Sequence, residues 1–467
     1  MHKNIKIENL SIFSKDKLLV ENINLEISTN KPLILLGESG SGKSLVIDAL
    51  MGVLAKGLKI KGSILLDGVD LLKLSKKQRQ KLWGKVITLL PQEPWRSLDP
   101  TMKVKDQVKE VRKFVYKDKI LQTEQRALKE LQEVKLQDFT NSYPHELSGG
   151  MCQRLTLAIT HTQEGSVLLV DEPTKGLDKE LCNSIVKKLN EQVNKGKLLF
   201  VITHDLQIAQ NIKGTLGVMA KGKLIEYNNT DEIFNNPKND YTKELIYAEA
   251  KYWNIEKTSI QNEKIVEVKN LSKSFGENKL FSNLSLTINK GEIVSIVGKS
   301  GSGKSSLGNI ILENLHYDSG NIEKNSNYKK IQFQKIYQDP PSAFLPEQIL
   351  FDGFKDLLNL HNIKEEFLHS YMEEFNLRKD LLQRKPDEIS GGELQRLSII
   401  RVLLLKPIFI FADEITSRLD PISQKEVLIL VKNIVEKEGL CILLVTHDHE
   451  IAQILSHKII NLKNYKL

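Results

Sequence analysis

The sequence predicts an α/β protein with two similar domains in tandem, each built on a mostly parallel sheet flanked by helices. Three observations carry this prediction. The chain repeats itself internally, and each half alternates apolar, β-rich runs with helical patterns. Each half also places one glycine-rich G-x-x-x-x-G-K-S motif between an apolar run and a helical pattern. With 467 residues, 40% apolar and 27% charged, the chain is long enough for about two or three globular domains.

The repeat consists of five motifs in the same order in both halves. "LILLGESGSGKS" returns as "VSIVGKSGSGKS", "ITLLPQEP" as "QKIYQDPP", and "HELSGGMCQR" as "DEISGGELQR". "VLLVDEPTKGLD" returns as "IFIFADEITSRLD", and "LFVITHD" as "ILLVTHD". The offset is 261 between Lys43 and Lys304 but 246 between Gln92 and Gln338. The second copy is therefore shorter between these two motifs.

The domain boundary is expected in the polar, charged stretch "AEAKYWNIEKTSIQNEK", which precedes the strand-like run "IVEVKNLSKSF" that opens the second copy. We predict a first domain over residues 1–250, a short linker over 251–263 and a second domain over 264–467. Two complete α/β repeats then account for the length of the chain.

The composition indicates the cellular environment of the chain but does not select its function. The net charge of +8, from 67 basic and 59 acidic residues, suits nucleic acid, anionic lipid or nucleotide phosphates without selecting among them. Cys152, Cys182 and Cys441 lie far apart, without metal-ligand spacing, which fits a reducing cytosol. The apolar runs are of strand length, so we expect no membrane span and no signal peptide.

The two glycine-rich motifs predict nucleotide-phosphate binding at a helix N-terminus. Their backbone N–H groups can surround a phosphate, Lys43 and Lys304 add charge toward the β/γ oxygens, and the following serines offer a hydroxyl to Mg²⁺. A chance match is negligible because it would have to occur twice in the same context. The predicted phosphate-binding residues are Gly37, Glu38, Ser39, Gly40, Ser41, Gly42, Lys43 and Ser44, and Gly298, Lys299, Ser300, Gly301, Ser302, Gly303, Lys304 and Ser305.

Two apolar strands end in paired carboxylates, where burial calls for a cation or a catalytic role. We predict that Asp171 and Asp413 hold Mg²⁺ through its water shell. Glu172 and Glu414 are then placed to orient and polarise the attacking water. Acidic helix caps are the alternative interpretation.

A histidine follows a further apolar strand in each half. His204 and His447 occupy the same register and are predicted to contact the γ-phosphate and so to sense its presence. A structural role at the strand end is the alternative.

A Ser-Gly-Gly motif precedes an amphipathic helical pattern in each half and predicts a second N-terminus able to bind phosphate oxygens. An ordinary capping turn is the alternative for either copy alone, but the order of the motifs is specific. The residues are Ser148, Gly149 and Gly150, and Ser390, Gly391 and Gly392.

Together these motifs resemble a tandem pair of ATP-binding cassettes, the ATPase domains of ABC transporters, over nearly the whole chain. The resemblance implies an antiparallel β-subdomain and a helical subdomain in each cassette, with ATP and Mg²⁺ as ligands. It implies that each Ser-Gly-Gly covers the nucleotide held by the other cassette. Gln92 and Gln338 would reach Mg²⁺ and the attacking water. Phe13 and Phe275 stand where the family stacks an aromatic ring on adenine, with a core position in the β-subdomain as the alternative.

Every catalytic position of the family is filled in both halves. We therefore predict two hydrolytic sites, each with its own metal ligands. Those ligands are Ser44, Gln92 and Asp171 in the first half, and Ser305, Gln338 and Asp413 in the second.

The first copy also resembles one subfamily, the importers of oligopeptides, dipeptides and nickel. "QEPWRSLDP", "LSGGM" and "IFNNPKNDYTKEL" carry this resemblance. It implies two integral-membrane permeases, an external substrate-binding protein and a place at the cytoplasmic face of the cell membrane. Trp95 is predicted to anchor a permease, with packing in its own helical subdomain as the alternative. Since the second copy has "QDPPSAFLP" instead, a heterodimeric permease is expected.

Other tandem cassettes remain as alternatives. The fused ATPase of an energy-coupling vitamin importer shares the layout, but its glutamine loop is not expected to resemble "QEPWRSLDP". A soluble ATPase acting on ribosomes or in DNA repair would suit the positive charge. The short linker, the two strand-end histidines and the cysteine count argue against that class, so no nucleic-acid partner is expected.

Overall fold

The computed structural model describes residues 2–15, 17–38, 40–92, 97–174, 179–299, 301–417 and 419–465. The chain forms two compact units, Met1–Ile246 and Tyr247–Leu467. The predicted linker lies within the second unit, where the buried side chains of Ala250 and Trp253 belong to a hydrophobic core.

The described part of the first unit contains strands and helices in alternation, as the sequence predicts. Its strands are β1 (Asn4–Ser14), β2 (Lys17–Ser28), β3 (Leu33–Leu36), β4 (Leu58–Leu66), β5 (Val69–Asp70), β6 (Ile87–Leu90), β7 (Val167–Asp171), β8 (Leu198–Thr203), β9 (Thr215–Ala220) and β10 (Lys223–Asn229). Its helices are α1 (Lys43–Met51), α2 (Lys76–Gln80), α3 (Val104–Glu110), α4 (Ile120–Glu133), α5 (Gly149–His161), α6 (Lys179–Asn194), α7 (Leu206–Asn211), α8 (Thr230–Asn235) and α9 (Asp240–Tyr247), with a π-helical segment at Val111–Tyr116.

These strands form one sheet in the order β5-β4-β1-β2-β10-β9-β3-β8-β7-β6. The neighbours β9, β3, β8, β7 and β6 run parallel, whereas β5, β4, β1 and β2 pair antiparallel. All six residues of β8 are buried, as expected of a parallel strand covered on both faces. Because the parallel strands share a direction, their carboxyl ends bring β3, β7 and β8 to one edge.

A separate hydrophobic core holds the helical part of the first unit together. It joins α3, α4 and α5 through buried apolar residues, which place the Ser-Gly-Gly motif at the start of α5. The core residues include Val104, Val108, Ala127, Leu131 and Leu155.

The second unit repeats this architecture in two sheets. Its described strands are β11 (Lys264–Phe275), β12 (Asn278–Asn289), β13 (Ile293–Val297), β14 (Ser319–Lys324), β15 (Phe333–Ile336), β16 (Phe409–Asp413), β17 (Cys441–Val445) and β18 (Lys458–Asn461). Its described helices are α10 (Lys304–Ile311), α11 (Leu350–Leu360), α12 (Glu365–Glu374), α13 (Gly391–Leu403), α14 (Pro421–Glu438) and α15 (His449–Leu455).

The five-stranded sheet of this unit is parallel, in the order β15-β16-β17-β13-β18, and the three-stranded sheet is antiparallel, in the order β12-β11-β14. Between α1 and β6 the first unit has β4, β5 and α2, whereas between α10 and β15 the second has only β14 among its strands and α-helices. This difference accounts for the shorter second copy. Among the described residues, no helix is both long and apolar enough to cross a bilayer.

Candidate active sites

The first glycine-rich motif forms a loop between β3 and α1 that winds around its own lysine. The Nζ atom of Lys43 donates to the carbonyl oxygens of Gly37 at 2.7 Å and Glu38 at 2.6 Å. Gly42 precedes the helix with a φ of 98°, a conformation that favours glycine. The lysine is thus held inside a loop at a helix N-terminus, an arrangement suited to phosphate.

The second glycine-rich motif has the same geometry between β13 and α10. Lys304 donates through Nζ to the carbonyl oxygens of Gly298 at 3.0 Å and Lys299 at 3.2 Å. Gly303 has a φ of 97°. Both lysines are buried. Ser39 and Ser300, which are predicted phosphate-binding residues, lie outside the described residues.

The carboxylates of the first unit meet at the carboxyl edge of the sheet. Glu172 follows β7 with a φ of 49°, and its Oε2 atom lies 2.6 Å from Nδ1 of His204. The backbone N–H of His204 donates to the same oxygen at 3.3 Å. Among the described residues, the buried Oδ1 atom of Asp171 has no hydrogen-bond partner. This buried oxygen, on a carboxyl group that the Ser44 side chain also approaches, fits a site for Mg²⁺.

The second unit brings its predicted residues still closer together. Ser305 donates through Oγ to Oδ1 of Asp413 at 2.9 Å. Nε2 of His447 lies 2.6 Å from Oε1 of Glu414, and the Gln338 amide donates to Oε2 of Glu414 at 2.7 Å. The lysine of the loop is also near, since Nζ of Lys304 lies 3.7 Å from Oε1 of Glu414.

Gln92 differs from its counterpart in the second unit. It is half-buried just after β6, and no described residue is seen to hydrogen bond to its side chain. Its predicted role toward Mg²⁺ and water stays a prediction. Trp95, in the same loop, lies outside the described residues.

Burial and neighbouring charge shift the acidity of these carboxyl groups. Burial, together with the charge of Glu172, raises the pKa of Asp171 to about 6, although Ser44 and Lys43 oppose the rise. Burial alone would also raise the pKa of Glu172, but the charge and hydrogen bonds of His204 outweigh it and lower that pKa. In the second unit, burial of Glu414 is outweighed in the same way by His447. The two glutamates are therefore ionised near neutral pH and can accept a hydrogen bond from water.

Each Ser-Gly-Gly motif opens a 13-residue helix. The Oγ atom of Ser148 accepts from the N–H of Met151 at 3.3 Å, and that of Ser390 accepts from the N–H of Glu393 at 3.4 Å. A Cβ built on Gly149 or on its counterpart Gly391 would meet no atom within 4 Å. The following glycines, Gly150 and Gly392, lie in the first turns of these helices. Both N-termini are therefore capped, and the space beside Gly149 and Gly391 is open. In the second helix the Glu393 carboxylate also accepts from the N–H and Oγ of Ser390.

The two aromatic residues predicted to stack on adenine lie at the ends of strands. Phe13 is half-buried near the end of β1, with Nζ of Lys61 5.4 Å from its ring centroid. Phe275 ends β11 and is 52% exposed, with Nζ of Lys273 5.0 Å from its ring centroid. Neither ring belongs to a hydrophobic core of the described residues, so adenine stacking stays a prediction.

Sequence reasoning missed three contributors to these sites. Lys335, in β15, lies 3.3 Å through Nζ from Oδ2 of Asp413. The charge of Asp48, on α1, acts on Asp171. The hydroxyl of Tyr241 accepts a hydrogen bond from the N–H of Glu38 at 3.2 Å. Tyr241 belongs to "IFNNPKNDYTKEL", so its motif was visible, but that motif was interpreted only as a mark of subfamily.

Comparison with known proteins decides the family. The family model described as ABC transporter matches residues 20–175 and 281–417. The chain belongs to the ABC transporter family. It is an ATPase of that family, and its two units are tandem ATP-binding cassettes with the P-loop NTPase fold.

Similar proteins with curated names extend over almost the whole chain. The chain is 30% identical to the uncharacterized ABC transporter ATP-binding protein YejF of Escherichia coli, over 98% of this chain and 94% of that protein. It is 29% identical to the peptidoglycan transport ATP-binding protein YejF of Agrobacterium fabrum, over 96% and 88%. It is 28% identical to the glutathione import ATP-binding protein GsiA of Salmonella typhimurium, over 94% and 81%.

Solved structures share the tandem fold at lower identity. The RNase-L inhibitor superposes with a TM-score of 0.66 at 19% identity, over 97% of this chain and 88% of that one. An archaeal ribosome recycling factor, in complex with the ribosomal stalk protein aP1, has a TM-score of 0.66 at 18% identity, over 98% and 87%. At these identities the likeness shows the fold alone.

Proposed function

We propose that this chain is the ATP-hydrolysing subunit of an ABC importer and energises uptake of peptides, or of nickel or metal chelates, through separate membrane permeases. One observation carries the motor role: both cassettes hold an ionised glutamate against a histidine at 2.6 Å beside a lysine-filled phosphate loop. The importer role is supported by the relative named for glutathione import, which is matched over 81% of its length.

Peptide cargo is favoured over nickel by the chemistry of the named cargoes. Glutathione is a tripeptide, and peptidoglycan contains short peptides, so both molecules named for the relatives carry peptide bonds. The resemblance of "QEPWRSLDP" to the peptide and nickel importers points the same way. Nickel or a nickel chelate is the alternative cargo.

Hydrolysis at each site would use residues that are already close together. Ser44, Gln92 and Asp171 would hold Mg²⁺, whose charge offsets that of the phosphates; Ser305, Gln338 and Asp413 would do so in the second cassette. Glu172 would orient the attacking water by accepting its hydrogen bond. The His204 ring, which contacts Glu172 in the structure, would turn toward the γ-phosphate. In the second cassette, Glu414 and His447 would act in the same way.

Transport would follow from closure of the cassettes. Extending the family resemblance, we infer that ATP bound to one phosphate loop is contacted by the Ser-Gly-Gly motif of the other cassette, which favours the closed state. Hydrolysis then allows the closed cassettes to separate. The loops after Gln92 and Gln338 would pass the motion to two permeases at the cytoplasmic face of the membrane, and an external binding protein would select the cargo.

Copurification separates this proposal from a ribosomal or soluble role. A tagged chain, purified from gently lysed cells with detergent, should carry two different integral-membrane proteins. Recovery with ribosomes and not with membranes would contradict the importer role. Copurification with a single small vitamin-binding membrane protein and its scaffold would favour the energy-coupling alternative.

Trp95 gives a second test of coupling to a permease. Trp95→Ala should abolish cargo uptake while ATP turnover of the isolated chain stays near its original rate, because an aromatic anchor at a permease interface contributes to binding and not to hydrolysis. Loss of turnover in the isolated chain would instead favour packing within its own helical subdomain.

A further inference from the structure

Lys335 places a positive charge beside Asp413, the aspartate proposed to bind the metal in the second cassette. Its Nζ atom lies 3.3 Å from Oδ2 of Asp413 and donates to Oδ1 of Asn309 at 3.2 Å. Nζ also lies 5.2 Å from the ring centroid of Phe411. With 17% of the side chain exposed, these contacts hold the ammonium group in one place.

Both oxygens of Asp413 are therefore engaged by this chain alone. Ser305 donates to Oδ1 at 2.9 Å, while Lys335 takes Oδ2. The carboxylate is 7% exposed. An ion pair of this kind, partly removed from water, is screened less than one at the surface.

The first cassette has the opposite arrangement at the same positions. The register of β6 with β7 matches that of β15 with β16, so Leu89 stands where the second cassette has Lys335. Asp48 and Asn309 each lie five positions after the loop lysine. In the first cassette the charges of Glu172 and Asp48 both act on Asp171, and that of Lys43 opposes them. In the second cassette Asp413 pairs with Lys335, and Glu414 lies near Lys304.

We propose that Lys335 is a positioning residue that acts through Asp413 and makes nucleotide binding by the second cassette depend less on Mg²⁺ than nucleotide binding by the first. A metal ion arriving at Asp413 meets a carboxylate already paired with a cation, and it is repelled by Lys335. At Asp171 it meets a buried oxygen without a partner among the described residues and an additional negative charge.

This inference rests on the proposed Mg²⁺-ATP site and not on transport. A charge within a few Å changes the affinity for a divalent cation substantially, even at the effective dielectric constant of about 20 that suits such sites. The second cassette would thus hold nucleotide at low free Mg²⁺, when the first would release it.

The test measures the affinity of the full chain for a fluorescent ATP analogue in excess Mg²⁺ and in EDTA. A Lys43→Ala background reports the second cassette, and a Lys304→Ala background reports the first. In the second cassette, Lys335→Met should increase the ratio of the affinity in Mg²⁺ to the affinity in EDTA about tenfold, which corresponds to about 1.4 kcal/mol. Lys335→Arg, which keeps the charge, should leave the ratio within about twofold.

The reciprocal change, Leu89→Lys, should decrease the ratio of the first cassette by a similar factor. If that variant does not fold, as judged by its thermal transition, the Lys335→Met and Lys335→Arg pair decides alone. An unchanged ratio in Lys335→Met, or an equal change in Lys335→Arg, would overturn the role of Lys335. Failure of the Lys43→Ala chain to bind nucleotide in either condition would instead reject the second site itself.

Discussion

In the first cassette, the Asp171 carboxylate keeps one buried oxygen without a partner among the described residues, close to a second carboxylate at Asp48. In the second, Asp413 shares its two oxygens between Ser305 and Lys335. The described glycines of the two phosphate loops have similar φ angles, and every motif position is filled in both. Residues outside the motifs therefore set the charge at each site.

Loss of both proposed water-orienting glutamates tests what the two cassettes share. Replacing both glutamates that we propose to orient water, Glu172→Gln and Glu414→Gln, should lower ATP turnover about 100-fold or more, because each site would lose that carboxylate. Each single replacement should also lower turnover clearly, as measured by phosphate release from the purified chain. If one single replacement leaves turnover unchanged, the prediction of two hydrolytic sites is wrong.

The next effect separates the two aspartates by stability. The folded pKa of Asp171, about 6, lies above its ordinary value of 3.8. The ionised carboxylate therefore destabilises the folded chain. This cost is absent below pH 3.8 and reaches its full value above pH 6. Asp171→Asn should increase the free energy of unfolding above pH 6 by roughly 2–3 kcal/mol, with no gain near pH 4. Thermal unfolding of the chain in EDTA across this pH range measures it, and a pH-independent change would contradict the account.

Asp413→Asn should have the opposite sign. The substitution leaves the mostly buried Lys335 ammonium group without its carboxylate partner. The free energy of unfolding should therefore fall by about 1–2 kcal/mol, a value that allows for the partial exposure of the pair. Unfolding of the second cassette in EDTA is the measurement. Adding Lys335→Met should recover most of the loss, and failure of this double variant to recover stability would remove the ion pair from the explanation.

The smallest effect concerns a contact observed in the first cassette. Tyr241→Phe removes the hydroxyl that accepts from the N–H of Glu38, so the phosphate loop is less restrained. We expect nucleotide affinity of the first cassette, measured in the Lys304→Ala background, to fall about two- to tenfold. Affinity of the second cassette in the Lys43→Ala background is the control, and an equal change there would point to a general loss of folding.

The predicted residues that the structure brings together at each site belong to local motifs or follow from the pairing of parallel strands. A glycine-rich loop between a strand and a helix, as around Lys43, requires no knowledge of distant contacts. The strand ending at Asp171 and the strand preceding His204 are parallel neighbours, so their carboxyl ends meet at one edge. That topology brings Glu172 and His204 together, whereas the sequence predicted only that His204 contacts the γ-phosphate.

The differences between the sites could not be predicted in the same way. Whether Lys335 reaches Asp413 depends on the register between β15 and β16, and on the face of the sheet from which the lysine side chain projects. Asp48 and Asn309 lie on helices, outside any motif. Tyr241 is far from Glu38 in sequence, and only the folded chain shows that their contact links the end of the first cassette to its phosphate loop.

The number of ATP molecules that the chain retains decides whether both cassettes of this ATPase are working nucleotide sites. The Glu172→Gln and Glu414→Gln double variant, incubated with ATP and Mg²⁺ and freed of unbound nucleotide by rapid gel filtration, can be assayed for bound ATP and ADP. The account predicts two molecules of unhydrolysed ATP per chain. Retention of one molecule, or of ADP in place of ATP, would contradict it.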